Sequence, residues 1–146
     1  MKQDIFCGFG ELPSIVIDLL VVGGGPAGFM SAITASEAGL NSVLIESSSK
    51  CLQKVLVSGG GRCNVTNACW NPSDLVENYP RGEKELRGLF SKFSTGDTVD
   101  WFESRGLSLK VEKDERIFPE SNSSSDVALC LLESAKKSGI SVITNI

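Results

Sequence analysis

Apolar residues early in the chain follow the pattern of buried parallel strands. Residues Ile15 to Val22 are nearly continuously apolar, interrupted by Asp18, and Ser42 to Glu46 has the same character. Between them an alanine-rich stretch, Pro26 to Ala38, is closed by Gly39. Because proline suits the first turn of a helix and glycine its left-handed end, this stretch is predicted to be a helix. The three segments together predict one βαβ unit.

The rest of the chain alternates helical and extended patterns. Helices are predicted near Glu83 to Phe93, Asp97 to Ser104 and Asp126 to Lys137, and extended segments at Leu107 to Val111, Arg116 to Phe118 and Ile140 to Thr144. The spacing of Phe90, Phe93, Trp101 and Phe102 is typical of core packing rather than of an aromatic substrate wall. The charged run Glu112 to Arg116 indicates a solvated hairpin turn.

These patterns predict an α/β protein with a Rossmann-like sheet of at least three parallel strands, followed by the start of an α+β insertion. We divide the chain into a lead-in segment over residues 1–17, a βαβ unit with a glycine-rich loop after it over 18–67, and residues 68–146. The last part holds the beginning of the insertion and a third Rossmann strand. Residues Lys54 to Asn67 show no hydrophobic period and are predicted to be a loop.

Composition narrows the possible partners. The 146 residues make room for one ordinary domain, and their net charge of −4 with scattered Lys and Arg argues against nucleic acid. No apolar run approaches the ~20 residues of a membrane span. No secretory or transit pattern is recognised, which predicts a cytoplasmic protein, whereas a longer form with a transit peptide would indicate an organelle such as a plastid.

Cysteine and histidine usage bears on the chemistry. Five cysteines in no CxxC pair favour reduced thiols over a disulfide framework. The absence of histidine excludes Ser-His-Asp and Cys-His nucleophiles and His-containing metal sites. We therefore predict no metal site, and the sequence identifies no catalytic acid or base.

A glycine-rich turn stands between the first predicted strand and helix. In Gly23-Gly24-Gly25-Pro26-Ala27-Gly28, the first glycine suits a tight turn, Gly25 lets the backbone approach a pyrophosphate, and Gly28 permits close packing of helix on strand. The helix N-terminus would offer free amides to phosphates. Glu46 ends the second strand about 20 residues later, where a carboxylate can accept hydrogen bonds from an adenosine ribose and repel a 2′-phosphate. This pattern favours FAD or NAD over NADP.

A second glycine-rich loop follows, and its residues are Ser58, Gly59, Gly60, Gly61, Arg62, Cys63 and Asn64. Three consecutive glycines lose much backbone entropy on ordering, which favours a close approach by a ligand or by another part of the backbone. Arg62 can grip a phosphate or a carboxylate with two parallel hydrogen bonds. A hinge with an exposed arginine is the alternative reading.

These motifs resemble the BaiN/RdsA (YhiN-like) family of NAD(P)/FAD-dependent oxidoreductases. The resemblance rests on the Gly23–Gly28 turn, Glu46, Lys54, the segment from Ser58 through Asn67, and Arg116-Ile117-Phe118-Pro119. It implies that the turn and Glu46 hold the adenosine diphosphate half of FAD and that Ser58, Gly59, Gly60, Arg62, Cys63 and Asn64 line the cofactor further along. Lys54 is a further candidate. Redox chemistry is implied at the flavin, with NAD(P)H as the possible electron donor and an unidentified small-molecule substrate.

Two other interpretations remain open at this stage. Family members are much longer, and the first alternative is therefore a non-catalytic fragment that binds nucleotide, or binds a partner through an unfinished sheet edge. Alternatively, Cys63 and Cys69 suggest the redox pair of a disulfide reductase, although those enzymes separate the two cysteines by four residues and here there are five.

Overall fold

The computed structural model describes Gly8 and residues 16–146. Along the chain the elements are β1 (Leu19–Val22), α1 (Pro26–Glu37), β2 (Ser42–Glu46), α2 (Gln53–Val57), a 3₁₀ turn (Ser58–Gly61), β3 (Thr66–Asn67), α3 (Pro72–Glu77), α4 (Glu83–Phe90), α5 (Thr95–Glu103), β4 (Leu109–Val111), β5 (Arg116–Pro119), α6 (Ser124–Lys137) and β6 (Ser141–Thr144). The predicted lead-in over 1–17 and the start of the predicted first strand at Ile15 lie outside the described residues, apart from Gly8, Val16 and Ile17.

Three parallel strands form the main sheet in the order β1-β2-β6. Val21, Leu44 and Val142 are aligned across it and pack into the core beneath α1 and α6. On the other face of β1, the side chains of Leu20 and Val22 are 53% and 79% exposed. The predicted α/β class and parallel Rossmann-like sheet are confirmed.

The core beneath this sheet comes from the apolar faces of the two long helices. Phe29, Ile33, Leu131 and Ala135 are each at most 1% exposed and belong to one cluster. Each fully buried Phe, Ile or Leu side chain contributes about 1.5–3 kcal/mol through loss of apolar surface to water. This packing fixes α1 against β1 and β2, and thereby fixes the turn that joins β1 to α1.

A second, antiparallel sheet has the order β3-β5-β4. Thr66 pairs with Ile117 on one side of β5, and Val111 pairs with Ile117 on the other. The amide of Glu115 donates to the carbonyl of Glu112 at 3.0 Å, which closes the turn between β4 and β5. The predicted hairpin turn is therefore confirmed, and β3 attaches the end of the second glycine loop to this hairpin.

The loop predicted over Lys54 to Asn67 is wrong in part, because it contains α2, the 3₁₀ turn and β3. Val55 of α2 is 6% exposed, and the hydroxyl of Ser124 donates to the carbonyl of Leu56 at 2.7 Å. A five-residue helix is too short to show a hydrophobic period, and contacts with α6 stabilise it. Sequence reasoning also missed α3, where Asn71 caps the helix and Pro72 begins it.

Two further expectations need correction. Phe102 is buried as predicted, but Phe93 is 44% exposed and α4 contributes no buried residue, because α4 packs mainly against α3 at the surface.

Cys63, Cys69 and Cys130 are free thiols, whereas Cys51 is disulfide-bonded. The expectation of reduced thiols throughout is thus wrong for Cys51, since pairing depends on which cysteines the fold brings together.

Candidate functional site

The turn between β1 and α1 has the geometry that its glycines predict. Gly23 has a φ of +110°, and its amide donates to the carbonyl of Ile45 at 2.8 Å. A Cβ on Gly28 would overlap the carbonyl oxygen of Gly23, so only glycine lets α1 approach this closely. A Cβ on Gly25 would meet nothing within 4 Å. The surface of the turn at Gly25 is therefore open.

The N-terminus of α1 is left free for an anion. Gly25 is its N-cap residue, Pro26 begins the helix, and neither a capping side chain nor an acidic residue occupies the first turn. The first amides of a helix have no partner within the helix and carry a partial positive charge. This end of α1 is therefore suited to phosphate oxygens.

Glu46 bridges the end of β2 to the glycine turn. Its Oε2 accepts a hydrogen bond from the amide of Gly24 at 2.7 Å, and its Oε1 accepts one from the amide of Ser48 at 2.8 Å. Donation from Ser48, and then from Gly24, lowers the pKa of Glu46 to about 2. The carboxylate is thus ionised at neutral pH. Because the Ser47 hydroxyl also donates to Oε1, at 3.4 Å, the lone pair left for another hydrogen bond is on Oε2.

Cys51 and Leu52 form the floor beneath the turn. A Cβ on Gly24 would lie 2.7 Å from the Cys51 sulfur, so any side chain at this position would collide with Cys51. Leu52 has a φ of +57°, and its amide donates to the carbonyl of Gly24 at 2.8 Å. Both side chains are 2% exposed. The floor is consequently held by packing and by a backbone hydrogen bond.

Glu46, the turn and α2 surround a cavity of about 280 Å³, which we call the dinucleotide cavity. Its lining residues are Gly24, Gly25, Pro26, Glu46, Ser48, Lys50, Leu52, Gln53 and Lys54. The structure thus brings together five of the predicted site residues, from three separate segments. Sequence reasoning missed the other four, Ser48, Lys50, Leu52 and Gln53. The position of Ser48, two residues beyond Glu46, was the signal available for it.

The second glycine loop is a tight turn with little room for side chains. Gly59, Gly60 and Gly61 have φ values of +54°, +67° and +84°. A Cβ on Gly59 would lie 2.9 Å from the Asn64 amide nitrogen and 3.1 Å from the Phe118 ring. A left-handed residue with a side chain costs roughly 1–2 kcal/mol. The close approach of the Asn64 backbone and of the Phe118 ring therefore accounts for Gly59.

Arg62 faces the hairpin. Its Nη1 and Nη2 lie 2.5 Å and 3.4 Å from Oε1 and Oε2 of Glu112, and its guanidinium carbon lies 4.0 Å from the centroid of the Phe118 ring. The bidentate pairing with a carboxylate that the sequence predicts for Arg62 is thus made with Glu112 of the same chain. The dinucleotide cavity has none of Gly59, Gly60, Gly61 and Arg62 in its lining.

A second, mainly apolar cavity of about 390 Å³ adjoins the first, and we call it the apolar cavity. Its lining residues are Pro26, Met30, Lys54, Val55, Ser58, Cys63, Asn64, Val65, Phe93, Thr98, Phe102, Val127 and Leu131. Pro26 and Lys54 line both cavities. Predicted site residues Ser58, Cys63 and Asn64 therefore face a different space from Glu46. Burial raises the pKa of the Cys63 thiol.

Gly23, Ala27 and Gly28 shape the turn without lining either cavity.

Among the described residues, no group of three or more His, Cys, Asp or Glu side chains is placed to hold a metal ion. No helix in the same part of the chain is long and apolar enough to cross a membrane. Cys63 and Cys69 are separate free thiols, and they form no disulfide pair.

Residues 17–146 match the HI0933-like protein Rossmann domain family. The chain belongs to this family. It is 31% identical over 90 residues to the ribosomal RNA dihydrouridine synthase of Escherichia coli strain K12, an alignment that covers 62% of this chain and 22% of that protein. The predicted resemblance to the BaiN/RdsA family is confirmed.

Two further similarities agree with this assignment. The 3-dehydro-bile acid delta(4,6)-reductase of Clostridium scindens is 27% identical over 128 residues, covering 86% of this chain and 30% of that protein. A flavocytochrome c3 fumarate reductase in an open conformation superposes with a TM-score of 0.66 and 26% identity, covering 91% of this chain and 27% of that one. Together these matches support an FAD-type Rossmann domain of flavoprotein oxidoreductases. The chain spans between a fifth and a third of these relatives' lengths.

Proposed function

We propose that this chain is the part of a flavoprotein oxidoreductase that holds the adenosine diphosphate half of FAD. The observation that carries the proposal is the dinucleotide cavity, in which an uncapped helix N-terminus and the ionised carboxylate of Glu46 meet across Gly24. The names of the relatives, a dihydrouridine synthase, a bile acid reductase and a fumarate reductase, denote redox enzymes and support this class.

The residues present fit this half of the cofactor. The open surface at Gly25 leaves space for the diphosphate against the first amides of α1, and Lys54 adds a cation to the same cavity. The unused lone pair on Oε2 of Glu46 is available to a ribose hydroxyl. A phosphate on the 2′-oxygen would meet a carboxylate that stays charged down to about pH 2, so the site selects against it.

When bound, FAD supplies the redox chemistry, and the protein supplies binding and orientation. The described residues provide no histidine, and we assign no proton donor or acceptor among them. In the whole protein, NAD(P)H is the proposed electron donor and a small organic molecule the proposed substrate. We propose that the protein acts in the cytoplasm.

The test is a titration of the purified chain with FAD, ADP and 2′-phospho-ADP. Calorimetry measures the binding of all three, and flavin fluorescence gives a second measurement for FAD. We expect saturable binding of FAD and ADP, and at least tenfold weaker binding of the 2′-phosphorylated nucleotide. Glu46→Gln is expected to weaken ADP binding and to reduce the discrimination. Glu77→Gln, at an exposed position on α3, is the matched control. Equal affinity for ADP and its 2′-phosphate would contradict the role of Glu46, and a chain that binds neither FAD nor ADP would contradict the proposed function.

A further inference from the structure

The disulfide of Cys51 ends directly beneath the glycine turn. The Cys51 side chain is 2% exposed, and a Cβ on Gly24 would lie 2.7 Å from its sulfur. The amide of Gly24 donates to Glu46, and its carbonyl accepts a hydrogen bond from the amide of Leu52. Both of these partners line the dinucleotide cavity. A change at the Cys51 sulfur therefore acts on the backbone that positions two residues of the cavity wall.

The cysteines of the chain leave one partner for Cys51. Five are present, of which three are free thiols, namely Cys63, Cys69 and Cys130. The fifth is Cys7, which lies outside the described residues. Because Cys51 is bonded within this chain, Cys7 is the cysteine left to pair with it.

Gly8, the next residue along the chain, lies close to the wall of the dinucleotide cavity. A Cβ on Gly8 would lie 2.9 Å from Oγ1 of Thr144, and Thr144 pairs with Glu46 in the register of β2 and β6. The segment over residues 46–51 is thus held at both ends, by the strand that contacts Gly8 and by the disulfide at Cys51.

We propose that a Cys7–Cys51 disulfide is a redox-controlled clamp on the dinucleotide cavity. When the bond is formed, it holds the segment that carries Glu46 and Ser48 in the arrangement that a nucleotide meets. When the bond is reduced, this segment gains conformational freedom, and nucleotide binding must remove that freedom again. The inference rests on the proposed function, since the nucleotide is the ligand whose affinity changes.

The reductant is a dithiol. Because Cys51 is buried, one thiolate of the dithiol attacks the sulfur of Cys7, and Cys51 leaves as a thiolate that takes up a proton. The second thiol of the reductant then displaces Cys7, which is released as a thiol, and the reductant becomes a disulfide. The protein gains two electrons and two protons. Disulfides in cytosolic proteins are usually transient and catalytic or redox-sensing, so this chemistry suits the proposed place of action.

The test compares ADP binding by the oxidised chain and by the chain reduced with dithiothreitol, measured by calorimetry. We expect reduction to weaken ADP binding about tenfold through the loss of pre-organisation, and reoxidation with oxidised glutathione to restore it. Cys7→Ser, which leaves the buried Cys51 in place, should bind ADP weakly under both conditions. Cys69→Ser, at a free thiol, is the matched control and should keep the full redox dependence.

Mass spectrometry of the unreduced, digested protein gives a second readout, in which the peptides that contain Cys7 and Cys51 should be linked. Unlinked peptides, equal ADP affinity in the two redox states, or a redox dependence that persists in Cys7→Ser would each overturn this inference and leave the proposed function standing. An oxidised chain that binds neither FAD nor ADP would contradict the proposed function, and this inference with it.

Discussion

Arg62 and Glu112, fifty positions apart, form a two-point ion pair with Nη–Oε distances of 2.5 Å and 3.4 Å. The pair joins the end of the second glycine loop to the turn of the β4–β5 hairpin. Phe118 of β5 lies under the guanidinium, with its ring centroid 4.0 Å away. Arg62 thus connects the loop to the antiparallel sheet, and both of its Nη atoms donate to Glu112.

A double-mutant cycle on Arg62→Lys and Glu112→Gln measures this connection. The side chains are 34% and 27% exposed, so we expect a coupling of about 1 kcal/mol in the free energy of unfolding, determined in urea. Arg87→Lys with Glu83→Gln, a more exposed pair on α4, is the control and should couple by about 0.3–0.5 kcal/mol. A coupling at Arg62 no larger than the control would contradict the role of the pair.

Glu46 makes stability depend on pH in the acid range. Its pKa falls from 4.5 to about 2 on folding, so its contribution is complete above about pH 4.5 and is lost as pH falls through about 2. Glu46→Gln should lower the free energy of unfolding by about 1 kcal/mol at pH 7, with a shrinking difference from the wild type below pH 4.5. Urea unfolding at a series of pH values measures both effects. A constant difference across this window would show that the Glu46 hydrogen bonds do not depend on its charge.

Gly28 and Gly88 are a matched pair of helical glycines. A Cβ on Gly28 would overlap the Gly23 carbonyl and lie 3.2 Å from a methyl group of Val21, whereas one on Gly88 would meet nothing within 4 Å. We expect Gly28→Ala to cost about 1–3 kcal/mol and to abolish ADP binding. Gly88→Ala should stabilise the protein by about 0.5–1 kcal/mol. Thermal unfolding and ADP titration measure both, and a neutral Gly28→Ala would refute the close packing of α1 on β1.

Cys63 and Cys69 should differ in reactivity. Cys63 is 7% exposed and burial raises its pKa, while Cys69 is only partly buried. Because the thiolate is the reacting form, iodoacetamide at pH 8 should modify Cys69 at least tenfold faster than Cys63. Mass spectrometry of the digested protein over time gives the two rates. In urea the rates should converge, and a fast Cys63 in the folded protein would contradict its burial.

The sequence by itself determined the βαβ unit and the position of Glu46. β2 begins and ends where its apolar run does, and α1 starts at Pro26 as its proline predicts. These features depend on periodicity, on a helix start signal and on the spacing within one unit, which are local properties of the chain. The glycines of the first turn follow a spacing that is local to the same unit, whereas the approach of the Cys51 sulfur to Gly24 comes from a more distant part of the chain.

Only the tertiary structure decided the partner of Arg62, the helix α2 and the pairing of Cys51. Glu112 approaches Arg62 because the antiparallel sheet brings β4 and β5 beside β3, and α2 forms because α6 covers Val55 and binds the Leu56 carbonyl. The division of the predicted site residues between two cavities arose in the same way. Contacts between distant segments follow from how the elements pack, and no short stretch of sequence contains that information.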